Sequence, residues 1–239
     1  MNRQHRMAGM CCLAVFAALL FLGCATISAE RRIDNIPMYG QPEIPRPEAL
    51  KEADADFIEK AIAGFNGSRE LASKAWAEVA NDFFQEGNLD YAMRRYNQAW
   101  LLNEKNYQPY WGFGQVMMAR ERFDEATKFY ERAKSLIDDE CQEPALLTDL
   151  GLAYSFKARS IFNNQDARNK YFGIANRHFE ASSNLDNTYA VVWEAWANSL
   201  YHEKKYAAAW EKVRKATEMG RPVHPMFRER LNQAMPEPN

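Results

Sequence analysis

Between Ser73 and Ser135 one pattern of residues is written twice in succession, at a spacing of 34. Trp76, Val79, Ala80 and Phe83, followed by Ala92, Tyr96 and Ala99, are answered by Tyr110, Phe113, Gly114 and Met117, followed by Ala126, Tyr130 and Ala133. Large residues fall on large and small on small in all seven columns. A period of this length, made of a helix-pattern half, a turn and a second helix-pattern half, marks a helical solenoid whose units are each too small to bury their own apolar face. Such a chain is a recognition surface before it is anything else.

Spacings of three, four and seven place these residues on one side of each α-helix. The small column (Ala80, Gly114) is where two helix backbones cross closely. The second helix presents Ala92 and Ala99 around Tyr96, so small faces meet and the aromatic fills the gap. The pattern resembles the tetratricopeptide repeat, W-x2-L-G-x2-Y followed by A-x3-F and a final Ala, over roughly residues 70 to 220. The resemblance implies an all-α fold: a right-handed α-solenoid of about four helix pairs, with capping helices at both ends and a concave groove lined by the first helices.

The units fall at about 73–106, 107–140, 144–187 and 190–223. The third begins with Leu147, Leu150, Gly151 and Tyr154, and its second half carries Ala175, Phe179 and Ser182. Gly151 and Ala175 are 24 residues apart where the regular units have 12, so an elongated hairpin around Ser160 to Asn169 is expected. The fourth unit restores the period with Trp193, Trp196, Ala197 and Leu200, then Ala209, Val213 and Ala216. A helix over 48–67, with Phe57, Ile58, Ala61, Ile62 and Phe65 on one face, reads as the leading cap, and 225–236 as the closing one.

The first 23 residues carry Arg3, His5 and Arg6 and then an apolar run from Met7 to Leu22, which is the layout of an export signal. Leu20-Phe21-Leu22-Gly23-Cys24 resembles a bacterial lipobox, and the resemblance implies acylation of Cys24. Ala25 in the next position implies an outer-membrane anchor on the periplasmic face, with a soluble periplasmic or inner-membrane location as the alternative. Residues 24–47 lack apolar periodicity, contain Pro37, Pro42, Pro45 and Pro47, and read as a flexible tether spanning roughly 25 to 30 Å. With Cys11 and Cys12 in the leader, Cys141 is the one thiol left, in an acidic loop that favours an inert residue over a nucleophile.

Lys and Arg (30) nearly balance Asp and Glu (32), and removing the leader leaves 28 against 32. That argues against a nucleic-acid partner held through phosphates, for which a basic face is expected. The chain has no HExxH, CxxC, GxSxG or phosphate-cradling glycine loop, and its four histidines are far apart in sequence. The reading is therefore non-enzymatic, without metal or cofactor.

The resemblance places the partner-facing columns at Lys74, Asn81, Phe84, Gln85, Trp111, Gln115, Met118, Thr148, Leu152, Glu194, Asn198, Tyr201 and His202, with Gln108 and Asp149 in the same columns. Their content is amide and aromatic, and Lys74 alone supplies a cation, which disfavours acidic chain ends as ligands. The plainer alternative is that Phe84, Trp111, Met118 and Phe156 pack against neighbouring units. Three functions fit: a lipid-anchored scaffold or adaptor that recruits protein partners of the cell envelope (pilus, secretion or peptidoglycan machinery); a small-molecule or glycan receptor built around Trp111, Trp193 and Trp196; or a structural subunit of an envelope complex.

Overall fold

The computed structural model describes residues 32–238, which are 74 % helix, with no strand among them. Ten helices follow one another: α1 (Glu48–Ala63), α2 (Arg69–Gln85), α3 (Leu89–Leu102), α4 (Tyr107–Ala119), α5 (Phe123–Lys134), α6 (Glu143–Ser160), α7 (Gln165–Leu185), α8 (Val191–His202), α9 (Tyr206–Glu218) and α10 (Pro225–Ala234). Each packs on its chain neighbours, and α2 on α4 and α6 on α8 make further contacts between the first helices of successive pairs. Cys24 and the export signal lie outside the described residues.

The starts are encoded by caps. Ser68, Asn88, Asn106 and Asn164 each accept a hydrogen bond from a backbone N–H in the first turn of the helix that follows, satisfying donors that the helix itself leaves unpaired. The ends are encoded by one recurrent turn. Gly87, Glu121 and Lys204, which occupy the same position of their units, have φ of 77°, 58° and 64°. In each, the next residue's N–H reaches back to the carbonyl of Phe83, Met117 or Leu200 at 2.8 to 2.9 Å, the bond of a left-handed helix stop. The third pair lacks this stop, and α6 runs on to Ser160 while α7 begins at Gln165.

The core follows the repeated columns. Ala92, Ala126, Ala175 and Ala209 are fully buried, as are Tyr96, Phe113, Met117 and Phe179. A Cβ built on Gly114 would stand 2.5 Å from the Tyr130 ring, and one on Gly151 would stand 2.7 Å from the Phe179 ring. The second-helix aromatic thus lies flush against the small residue of the first, as the spacing demands. Val79 departs from the pattern: it is 41 % exposed, because α1, which has no buried residue of its own, covers that side of α2 incompletely.

The expectation of a tether over the whole of 24–47 is corrected for its second part. Residues 33–46 fold onto α3 and α4. Asn97, buried in α3, donates through Nδ2 to the carbonyls of Asp34 and Ile36, both at 2.9 Å, and accepts from the Tyr39 amide at 3.4 Å. Arg120 reaches Asn35 Oδ1 at 2.7 Å, and Asn35 donates to Asp90 at 2.7 Å. Tyr39 is buried under the Arg46 guanidinium, 3.9 Å from its ring centre, and Arg46 is held by two bonds to Asp54 at 2.6 and 2.7 Å. Met38, Tyr39 and Gly40 all have positive φ (54°, 54°, 77°), a conformation non-glycine residues keep only where surrounding contacts impose it.

Candidate functional site

The first helices of the first two regular pairs, α2 and α4, place side chains four or seven residues apart on a shared face, and between them lies an open pocket of about 370 Å³. Asn81 and Gln85 line it from α2, Tyr107, Gln108, Trp111, Gly112 and Gln115 from α4, and Asp139 and Gln142 from the segment entering α6. Five of the sequence-derived positions, Asn81, Gln85, Gln108, Trp111 and Gln115, therefore converge on one cavity. Their chemistry is uniform: amide groups that both donate and accept, beside one indole.

The floor is polar and fixed. Tyr96 reaches through from α3 to donate its hydroxyl to Asn81 Oδ1 at 2.6 Å, with Gln115 Oε1 at 3.5 Å. Its aromatic ring also explains Gly112: a Cβ there would stand 2.1 Å from Tyr96 Cε1. Asn106, buried at the start of α4, caps Gln108 N at 3.0 Å and touches Gln108 Oε1 at 3.4 Å. With these bonds made, Asn81 keeps its Nδ2 and Gln85 its whole amide for an incoming group.

Trp111 is half-buried rather than free-standing. Its ring lies 6.3 Å from that of Tyr107, and its Nε1 donates to Asp149 Oδ2 at 2.7 Å, tying α4 to α6. Burial pushes the Asp149 carboxyl up to about 6, against the opposing pull of its bonds to Trp111 and Gln115. The hydroxyl of Tyr107 is pushed up to about 12 by burial and by the charges of Asp139 and Asp138. The rim is thus acidic on the α6 side and neutral elsewhere.

The remaining sequence-derived positions do not join this pocket. Thr148 is corrected from a groove residue to a core one: it is 1 % exposed and its hydroxyl bonds Pro144 O and Ser182 Oγ, both at 2.9 Å. The close α6–α7 crossing turns this column inward. Phe84 and Met118 are half-buried against the core around Tyr96 and Phe113, and Leu152 packs in the cluster of Ala175, Phe179 and Val192. Lys74 is exposed and paired with Glu70 at 2.9 Å. On α8, Glu194 pairs with Arg221 at 2.8 Å, Asn198 is half-buried, and Tyr201 is wedged against Phe227 and Tyr206. His202, the last residue of α8, is half-buried, and burial holds its imidazole down to about 4.

Tyr107, Asp139 and Gln142 were missed in the sequence. Tyr107 precedes the columns on α4, and the other two come from the loop before α6, which the period does not register. Trp193 and Trp196 do not line the pocket either. They stack on each other at 6.0 Å, with Lys212 3.9 Å from the Trp196 ring centre and Asn176 accepting the Trp196 indole N–H at 2.8 Å. Among the described residues no group of three or more His, Cys, Asp or Glu could hold a metal, and no helix is long and apolar enough to cross a membrane. No family model matches the chain, and no curated protein matches it.

Proposed function

We propose that the chain is a non-enzymatic adaptor that binds a segment of a partner protein in the α2–α4 pocket, on a right-handed solenoid of tetratricopeptide type. The observation that carries this reading is the convergence of Asn81, Gln85, Gln108 and Gln115 around Trp111 in one open cavity. Amides at one level match the alternating N–H and C=O of a peptide backbone, and a half-buried aromatic beside them offers the apolar anchor in which binding energy concentrates. A sugar or small-molecule receptor on the three tryptophans is less well supported, because Trp193 and Trp196 are engaged with each other. Acylation of Cys24 and an outer-membrane, periplasmic location complete the proposal and rest on the sequence of the leader.

The test is quantitative recovery of envelope proteins on membrane-extracted chain, comparing wild type with Gln85→Ala, an exposed position whose loss leaves the fold intact. A partner recovered by wild type and lost or weakened severalfold with Gln85→Ala supports the pocket. Equal recovery of every partner by both proteins removes it.

A further inference from the structure

The charge on the wall of the α2–α4 pocket is negative. Of its lining residues Asp139 alone is ionic, and the others are amides, aromatics and one glycine. Asp139 is exposed, and its Oδ1 accepts the Cys141 N–H at 3.0 Å, which fixes the loop before α6. Its Oδ2 has no partner among the described residues. Lys74, the cation in the partner-facing columns of α2, is already paired with Glu70 at 2.9 Å.

A second carboxylate stands behind the same wall. Asp149 accepts the Trp111 indole N–H at 2.7 Å and is also bonded by Gln115, and both of these residues line the pocket. With its N–H committed to Asp149, Trp111 offers the pocket an aromatic surface and no donor. Tyr107 lies beside it, the ring centres 6.3 Å apart. Tyr107 is 6 % exposed, yet its hydroxyl has no hydrogen-bond partner among the described residues. A buried polar group left without a partner is costly, and this one lies on the cavity wall, where an incoming donor would satisfy it. Asp149 is costly in the same sense, since burial disfavours the ionised form it holds at pH 7, and an electrostatic role toward the pocket accounts for its presence.

We infer that the α2–α4 pocket selects a partner segment by a cationic side chain, lysine or arginine, whose charged end rests against the Tyr107 and Trp111 rings beside Asp139. The inference rests on the reading of this pocket as a peptide site and adds the chemistry of what enters it. Aromatic rings attract an ammonium or guanidinium through their quadrupole, more strongly as water is excluded. The Tyr107 hydroxyl accepts one of its N–H groups, and the carboxylates at the rim and behind the wall supply the opposite charge. An acidic side chain meets the reverse of each term, because no Lys, Arg or His lines the cavity. A volume of about 370 Å³ suits one long side chain with the backbone that carries it.

The test titrates the membrane-extracted full chain at pH 7 with short blocked peptides that carry lysine, arginine, norleucine or glutamate between alanines. The chain is labelled with fluorotryptophan, and the fluorine resonance of Trp111 is followed. The lysine or the arginine peptide should shift it saturably and bind about tenfold tighter than the norleucine peptide, and the glutamate peptide should not bind. Asp139→Asn, which keeps the oxygen that Cys141 N–H uses, and Asp149→Asn, which keeps an acceptor for Trp111, should each weaken the cationic peptides severalfold and leave norleucine unchanged. Glu229→Gln on α10, the same loss of charge at a distant exposed position, should change nothing. Equal binding of norleucine and the cationic peptides, binding of glutamate, or indifference to both asparagine variants would overturn the inference. In those cases a loss of binding in Gln85→Ala still upholds the pocket as a peptide site. If no peptide shifts Trp111, the cation site and the pocket both fall.

Discussion

The indole N–H of Trp111 donates to the carboxylate of Asp149 across 2.7 Å, joining the second helix pair to the third. Burial raises this carboxyl from its ordinary 3.8 to about 6. The folded protein therefore holds the Asp149 proton to higher pH than the unfolded chain does, and the ionised group disfavours the fold above about pH 6. The stability linked to Asp149 is present below its unfolded value and is lost as pH rises through the folded one. Asp149→Asn keeps an acceptor for Trp111 and has no charge to bury. Its melting temperature should exceed wild type at pH 7.5, with the difference closing by pH 4. A variant equally destabilised at both values would show that the carboxylate is a net asset in its ionised form.

Gly114 and Gly173 make a matched pair of helical glycines. An added Cβ at Gly114 would stand 2.5 Å from the Tyr130 ring, whereas at Gly173 it would meet nothing within 4 Å. Gly114→Ala should cost about 1 to 3 kcal/mol by overpacking, and Gly173→Ala should gain about 0.5 to 1 kcal/mol from helix propensity. Urea unfolding of the two variants measures both, and equal effects would mean that the Gly114 column is not a tight crossing.

Glu121 sits in the left-handed turn position that Gly87 fills in the preceding unit. Because an L side chain there is disfavoured, Glu121→Gly should stabilise the protein by up to about 1 kcal/mol. Thermal unfolding reports it, and a loss of stability would mean that the Glu121 side chain makes a contact worth more than the strain.

The columns that could be read in the sequence are those where identity is dictated by contact between sequential helices: Ala92 and Ala126, Tyr96 and Tyr130, Gly114 and Gly151. Such contacts are short in sequence and recur with the period, so pattern alone exposes them. Asn81, Gln85, Trp111 and Gln115 were placed by the resemblance to the tetratricopeptide repeat, and the α2–α4 pocket brings these four together. Thr148 was misplaced because the lengthened α6–α7 crossing changes what that column meets. The docking of residues 33–46 was illegible for a different reason. It depends on Asn97, about sixty residues away, and a proline-containing stretch without periodicity reads as unstructured whether or not a distant amide waits for its carbonyls.

Asn97 makes the docked segment testable. Asn97→Ala strips the carbonyls of Asp34 and Ile36 and the amide of Tyr39 of their shared partner. A loss of about 1 to 3 kcal/mol is expected, together with faster amide exchange at Tyr39 than in wild type. Unchanged exchange there would mean that the Arg46–Asp54 and Tyr39 contacts hold the segment without Asn97.

The proposed anchor is tested at Cys24. Several acyl chains hold a protein on a bilayer, whereas one gives marginal binding. Cys24→Ser should block maturation or shift the chain out of the membrane fraction, and an unchanged distribution would point to ordinary signal cleavage.

The most direct measurement is site-specific crosslinking in the intact cell. A photoreactive phenylalanine replaces Gln85, on the rim of the α2–α4 pocket, and in a parallel strain replaces Lys128, exposed on α5 away from it. Illumination should yield a discrete protein adduct from position 85 and none from position 128, and the adduct should fade when Trp111→Phe removes the indole N–H but keeps an aromatic ring. No adduct from position 85, or the same adducts from both positions, would contradict a protein-binding pocket between α2 and α4.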